Sequence, residues 1–225
     1  MTAITPTVKQ SQPFYPSADG AVAETYAHLY VLLTTLEVLR QYLKGRQATV
    51  LGNQFLYYAQ GFPKLRVAPD VIVIFDVEPG GRDNYKTWEE GQVPVVIFEM
   101  TSTGTQAQDT GFKKTLYEQL EVQEYWLFDP RREWIEEQLR GYRLQGESYQ
   151  PITDSRSEPL QLRLAVEGEL IGFYREDTGE KLLVPDELVE ALQQETQARQ
   201  QAEERAEQAE ALLARYRERF GELPE

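Results

Sequence analysis

Two short apolar runs, each with an acid at one end, constrain this chain more than any other feature. The first is Pro69-Asp70-Val71-Ile72-Val73-Ile74-Phe75 and the second is Val95-Val96-Ile97-Phe98-Glu99-Met100-Thr101. Both are β-branched and too short for a helix, so each reads as a buried strand. A polar, Gly-rich stretch from Glu78 to Asn84 separates them. If the strands pair antiparallel, the start of one faces the end of the other, and Asp70 and Glu99 meet at one sheet edge. Two carboxylates that converge repel unless a cation or a proton lies between them. The geometry therefore raises a divalent metal site. Alternation along the second strand puts Glu99 and Thr101 on one face and Met100 on the other. The Met100 backbone carbonyl is then expected to offer a third oxygen, and a donor set of oxygens suits Mg2+ or Mn2+.

The 225 residues suffice for one domain plus an appendage. The sequence contains no cysteine, which excludes disulfides, thiolate zinc sites and cysteine nucleophiles. Residues 1–17 lack a basic start followed by an apolar run, and no stretch approaches the ~18 apolar residues of a membrane helix. The expectation is a soluble, cytoplasmic chain with no membrane partner. The net charge of -14 argues against a broad basic surface that grips nucleic acid, since such binding neutralises phosphates. A nucleic acid substrate then needs a local basic cluster, bound metal ions or a partner.

Residues 1–18 read as a loosely held arm. Residues 21–44 show helical periodicity, with Leu29, Leu32, Leu33, Leu36, Leu39 and Leu43 as the apolar stripe and Gly45 as the stop. Residues 48–60 read as strand and turn, 105–120 as a helix with Phe112, Leu116 and Leu120 on its apolar side, and Glu124–Phe128 as a strand. Tyr125 and Trp126 alternate there as core residues. A β-meander is expected over 139–185, with a hairpin turn at Asp177-Thr178-Gly179-Glu180. From Leu188 to Phe220 the spacing alternates four and three residues, a heptad seam whose centre is Ala, Glu and Arg. Residues 186–225 thus read as a C-terminal helix that forms a coiled coil and makes the chain a homodimer.

Asp109, Lys113 and Tyr117 are spaced i, i+4, i+8 and share a helical face. A short loop links that helix to the Glu99 strand, so Lys113 can reach back to the carboxylate edge. Near a metal its charged form is disfavoured, which moves it toward a general base or a water-orienting group. A surface ion pair between Asp109 and Lys113 is the plainer alternative.

The ordered string Pro69-Asp70, Glu99-x-x-Ser102, Asp109-x-x-x-Lys113-x-x-x-Tyr117 and Glu124-Tyr125-Trp126-Leu127-Phe128-Asp129-Pro130 resembles the Uma-two family, a branch of the PD-(D/E)XK (restriction-endonuclease-like) nuclease superfamily. The resemblance spans roughly residues 15–180. It implies an α/β (α+β) fold, a mixed β-sheet flanked by helices, over 19–185, and metal-dependent hydrolysis of phosphodiesters, with DNA as substrate. Asp70 and Glu99 match the two metal-binding acids. The superfamily's usual lysine position is here Thr101, and Lys113 matches the helix-borne lysine of this branch; Thr103 stands where the family often has Pro. Ser102 is expected to fix the loop between acid and lysine. Glu24, on the first helix, stands where a superfamily acid often serves as an outer metal ligand, and a solvated helix face is the alternative. His28, one turn on, reads as part of a solvated helix face. The competing reading is a nuclease-fold protein with weak or no catalysis that serves as a coiled-coil interaction module.

Overall fold

The computed structural model describes residues 13–14 and 25–221. The expected arm, apart from residues 13–14, and Glu24 lie outside the described residues. The chain forms two units, residues 1–182 and 183–225.

The first unit is built on a six-stranded mixed sheet in the order β1-β4-β6-β7-β8-β9. Its strands are β1 (Ala48–Gly52), β4 (Val71–Phe75), β6 (Val96–Met100), β7 (Glu124–Phe128), β8 (Leu139–Gln145) and β9 (Ser148–Ile152). All pairings are antiparallel except β6 with β7. A small sheet of β2 (Leu56–Tyr57), β3 (Arg66–Val67) and β5 (Tyr85–Lys86) lies in the first half of the unit, and β5 leads into the one-turn helix α2 (Thr87–Glu90). The expected meander is divided. β8 and β9 extend the main sheet, whereas β10 (Arg156–Ser157), β11 (Leu162–Glu167), β12 (Leu170–Arg175) and β13 (Lys181–Leu182) make a separate antiparallel sheet. Asp177–Glu180 is the hairpin turn between β12 and β13, with Gly179 at φ 72° and the Arg175 guanidinium on the Asp177 carboxylate.

Every residue of β6 and β7 is buried, because both faces of the sheet are covered. On one face Ile72, Ile74, Ile97, Tyr125 and Leu127 pack with Leu116 and Tyr117. The last two belong to α3 (Lys114–Gln119). The other face receives α1 (Tyr26–Tyr42), which packs on β1, β4 and β6 and also touches β12, while Phe98 meets Phe173 edge to face. Trp126 is core, as expected, and the reason it fits lies across the sheet. It stands opposite Gly141, where an added Cβ would come within 2.5 Å of its ring.

Two helical expectations are corrected. In α1 the buried residues include Val31, Thr34, Thr35 and Val38, while Leu29 and Leu33 are exposed. Leu32, Leu39 and Leu43 of the expected stripe are buried; Leu29 and Leu33 fall outside the buried face, which Thr34 and Thr35 help to fill without carrying a hydropathy signal. Phe112 is likewise exposed. Residues Gln108–Lys113 form a π-helical turn before α3. Its extra residue per turn shifts Phe112 off the stripe that Leu116 and Tyr117 bury.

The second unit is one 36-residue helix, α4 (Pro185–Phe220), entered by Pro at its first position. Its heptad positions Leu192, Leu213 and Tyr216 are exposed.

Candidate active site

Asp70 directly precedes β4 and Glu99 is the fourth residue of β6. The antiparallel register pairs Val71 with Phe98, and one further step sets Asp70 opposite Glu99. The two acids are held from opposite sides of the sheet. Asp70 Oδ2 accepts the Met100 backbone N–H at 2.6 Å, and Oδ1 lies 3.2 Å from His28 Nε2 on α1. Glu99 Oε1 accepts the Tyr117 hydroxyl at 2.7 Å, and Oε2 lies 2.9 Å from Lys113 Nζ. Lys113 Nζ is also 3.1 Å from Asp109 Oδ1, and the Thr101 hydroxyl donates to Asp109 Oδ2 at 2.7 Å. Asp109, Lys113 and Tyr117 therefore do converge, and the ion pair of the plainer reading is one side of a buried cluster rather than a surface contact.

The π-helical turn is what makes this convergence close. Four residues of an α-helix overshoot one turn by about 40°, so an i, i+4, i+8 set drifts around the axis. A wider turn between Asp109 and Lys113 reduces that drift and aims both at Glu99.

A cleft of about 320 Å3 opens onto this cluster, its wall including Asp70, Glu99, Asp109 and Lys113. Five acids are buried among the described residues: Asp70, Glu99, Asp109, Glu124 and Asp129. Two of these are structural. Glu124 is paired with Arg143 at 2.9 Å and bonded to the Trp126 indole and the Glu158 N–H. Asp129 lies on the cleft wall, but its Oδ2 accepts the Trp134 and Ile135 N–H groups and so folds the loop after β7. The remaining three acids are those of the Lys113 cluster and its edge partner.

Burial pushes Glu99 up to about 8; the Lys113 ammonium pulls it back, while Asp70 and Asp109 add to the rise. Burial works against the charge on Lys113, but Glu99, Asp109 and Asp70 outweigh it and hold the amine above its ordinary value. These acids favour the charged amine, against the loss of its proton that a nearby metal ion would promote. Burial, then the Glu99 charge, raises Tyr117, which stays a hydroxyl donor to Glu99.

Ser102 lies in the loop between β6 and the π-helical turn. Its N–H donates to Thr105 Oγ1 at 3.0 Å, and its carbonyl accepts the Gln106 N–H at 2.9 Å. Thr103, in the place of Pro, donates its hydroxyl to Glu133 at 3.0 Å. His28 is the residue the sequence reading misplaced: it is not a solvated face but a contact of Asp70. Arg131 was also missed. It lines the cleft, and its guanidinium makes no ion pair among the described residues. His28 is a lone histidine on α1 with no spacing to the acids, and Arg131 stands one residue past the Glu124–Pro130 string, where only the fold shows that it reaches the cleft.

A divalent cation suits the chemistry of the donors. Asp109 Oδ1 faces Lys113 at an angle that is not a hydrogen bond, so this buried oxygen has no hydrogen-bond partner. Each oxygen of Asp70 and Glu99 uses one contact and has a further lone pair. No group of three or more His, Asp or Glu among the described residues is arranged to hold a metal ion. Asp70, Glu99 and a backbone oxygen could contribute oxygen donors to a cation that keeps several waters, as Mg2+ commonly does.

Residues 18–174 match a family model described as "Uma2: Putative restriction endonuclease". Among solved structures the chain is similar to one described as "a putative nuclease belonging to DUF820", from Anabaena variabilis ATCC 29413. The two are 15% identical, the likeness covers 60% of this chain and 71% of that chain, and the TM-score is 0.44. No curated protein matches the chain.

Proposed function

We propose that this chain, which belongs to the Uma2 family, is an endonuclease that hydrolyses phosphodiester bonds in DNA with Mg2+ or Mn2+ bound at its acidic sheet edge. The observation that carries the reading is the Lys113 ammonium lodged 2.9 Å from Glu99, at the strand position facing Asp70. A scaffold has no need to bury that trio. Asp70, Glu99 and the Met100 carbonyl would hold the ion. When bound, it would lower the pKa of a coordinated water and offset charge on the phosphate.

The chain's own residues supply the rest. The Met100 N–H and His28 hold the Asp70 carboxylate in one orientation, and Tyr117 does the same for Glu99. Lys113 is a fixed cation that stabilises negative charge as it grows on the phosphate oxygens, a role that needs no proton transfer. Asp109, steadied by Thr101, keeps the ammonium pointed at the edge. Asp109 and Tyr117 are positioning residues in this scheme.

A plasmid-nicking assay with Mg2+ and with Mn2+ tests the reading. Wild type is expected to nick, and Glu99→Gln, Asp70→Asn and Lys113→Ala are not. Equal background from all four proteins would sink it. The second reading, a coiled-coil interaction module, draws on α4, whose heptad leucines are exposed along a helix far longer than three turns. On this reading the partner is a second copy of the chain. Sedimentation of the full chain carrying Leu192→Lys and Leu213→Lys tests it: a mass that drops from dimer to monomer supports the seam, and an unchanged mass removes it.

A further inference from the structure

An acidic chain that acts on DNA needs somewhere to hold phosphates. The described structure contains a second cleft, of about 470 Å3, along the edge strand β1 and the end of α1. The charged residues in its wall are Arg40, Lys44 and Arg46, with no carboxylate among the lining residues. That is unexpected for a sequence with 37 acids against 23 bases. We propose that this cleft binds the phosphate backbone of the DNA substrate, next to the acidic edge where hydrolysis occurs. The inference rests on the nuclease reading for the identity of the ligand.

Local structure explains how three cations gather. Arg40 lies in the last turn of α1, where the helix carbonyls favour a cation, and it is partly engaged by Glu37 at 3.1 Å. Lys44 and Arg46 lie past that end, the Lys44 N–H donating to the Gln41 carbonyl at 3.2 Å and the Arg46 N–H to the Leu43 carbonyl at 3.0 Å. Gly45, at φ 85°, turns the chain between them, and the Arg46 guanidinium comes back over the Tyr42 ring at 5.0 Å. Lys44 has no ion pair among the described residues. The opposite wall is the Pro79-Gly80-Gly81 loop, tied to β1 by the Thr49 hydroxyl on the Gly80 carbonyl at 2.6 Å.

The two clefts adjoin. Gly52 and Gln54 line the second, Asn53 between them lines the first, and the Asn53 N–H donates to the Asp70 carbonyl at 2.9 Å. A strand of phosphates held by Lys44 and Arg46 can therefore run along β1 toward Asp70. β1 is five residues long, about 16 Å at the usual rise per residue. That distance takes several nucleotides of backbone.

The test measures binding apart from cleavage. A fluorescein-labelled duplex of about 20 base pairs is titrated with the full-length protein in EDTA, from about 50 to 200 mM KCl, and anisotropy is read. The proteins are wild type, Lys44→Ala/Arg46→Ala, and Lys64→Ala as an exposed cation that lines neither cleft. The double variant is expected to bind about tenfold or more weakly at low salt, and its log K against log salt slope to flatten by about 2, one per lost phosphate contact. Lys64→Ala should match wild type. Coincident thermal melts confirm that the variants fold, as both side chains are exposed. A double variant with unchanged affinity and slope overturns the proposal, as does a wild type that binds no duplex. Failure of the parent reading looks different: wild type then binds through the cleft with the expected slope but nicks no plasmid.

Discussion

At the residue scale the site is a contest between burial and charge over Glu99. Its carboxyl is raised to about 8 from an ordinary 4.5. In that window the native state keeps a proton that the unfolded chain has released, so stability should fall as pH rises from about 4.5 to about 8. Glu99→Gln has no proton to lose, so its urea midpoint should decline less across that range than that of wild type. A bound cation needs the ionised form, so Mg2+ affinity, read by calorimetry, should rise over the same pH range and be lost in Glu99→Gln. Lys113→Ala leaves buried carboxylates without their cation and removes charge stabilisation at the phosphate. Nicking should drop by about 10²-fold or more, with Lys113→Arg restoring little because its planar fork does not fit a point contact. Asp70, Glu99 and Lys113 were legible in the sequence because each lies at a fixed offset from a strand end or a helix face. His28 and Arg131 were not, since a lone histidine and a loop arginine have no spacing to read.

At the element scale the π-helical turn Gln108–Lys113 decides the site more than α3 does. Deleting Gly111 should return this segment to α-helical winding and bring Asp109 and Lys113 from four residues apart to three, which turns one against the other by roughly 30°. The expected outcome is a loss of nicking of about 3- to 10-fold with the sheet intact by circular dichroism. The same turn explains why Phe112 was misread as buried: a period of 3.6 was assumed where the chain winds wider. Strand β7 offers a separate check. Gly141→Ala would drive a methyl into the Trp126 ring, an overpacking expected to cost about 1–3 kcal/mol in denaturant unfolding. The strands themselves were readable because β4, β6 and β7 are buried on both faces and so show as unbroken apolar runs. β3 and β5, two residues each, were missed, because two residues carry no period.

At the scale of the whole molecule, charge is sorted rather than spread. The net charge of -14 coexists with one cleft whose only charged lining residues are basic. Binding of DNA should therefore be steeply salt-dependent for so acidic a chain. If α4 pairs with a second copy, apparent melting temperature should rise with protein concentration, and Leu192→Lys/Leu213→Lys should abolish that dependence.

What the sequence determined alone was local or one step from local: the strands, the antiparallel facing of Asp70 and Glu99, and the helical face carrying Lys113. Those depend on periodicity and register, which neighbouring residues encode. Only the tertiary structure decided that His28 supports Asp70, that Lys113 lies between Glu99 and Asp109, that the meander splits between two sheets, and that cations at the end of α1 and in the turn before β1 share a cleft. Each of these depends on burial and on which distant surfaces meet, quantities that no spacing along the chain contains.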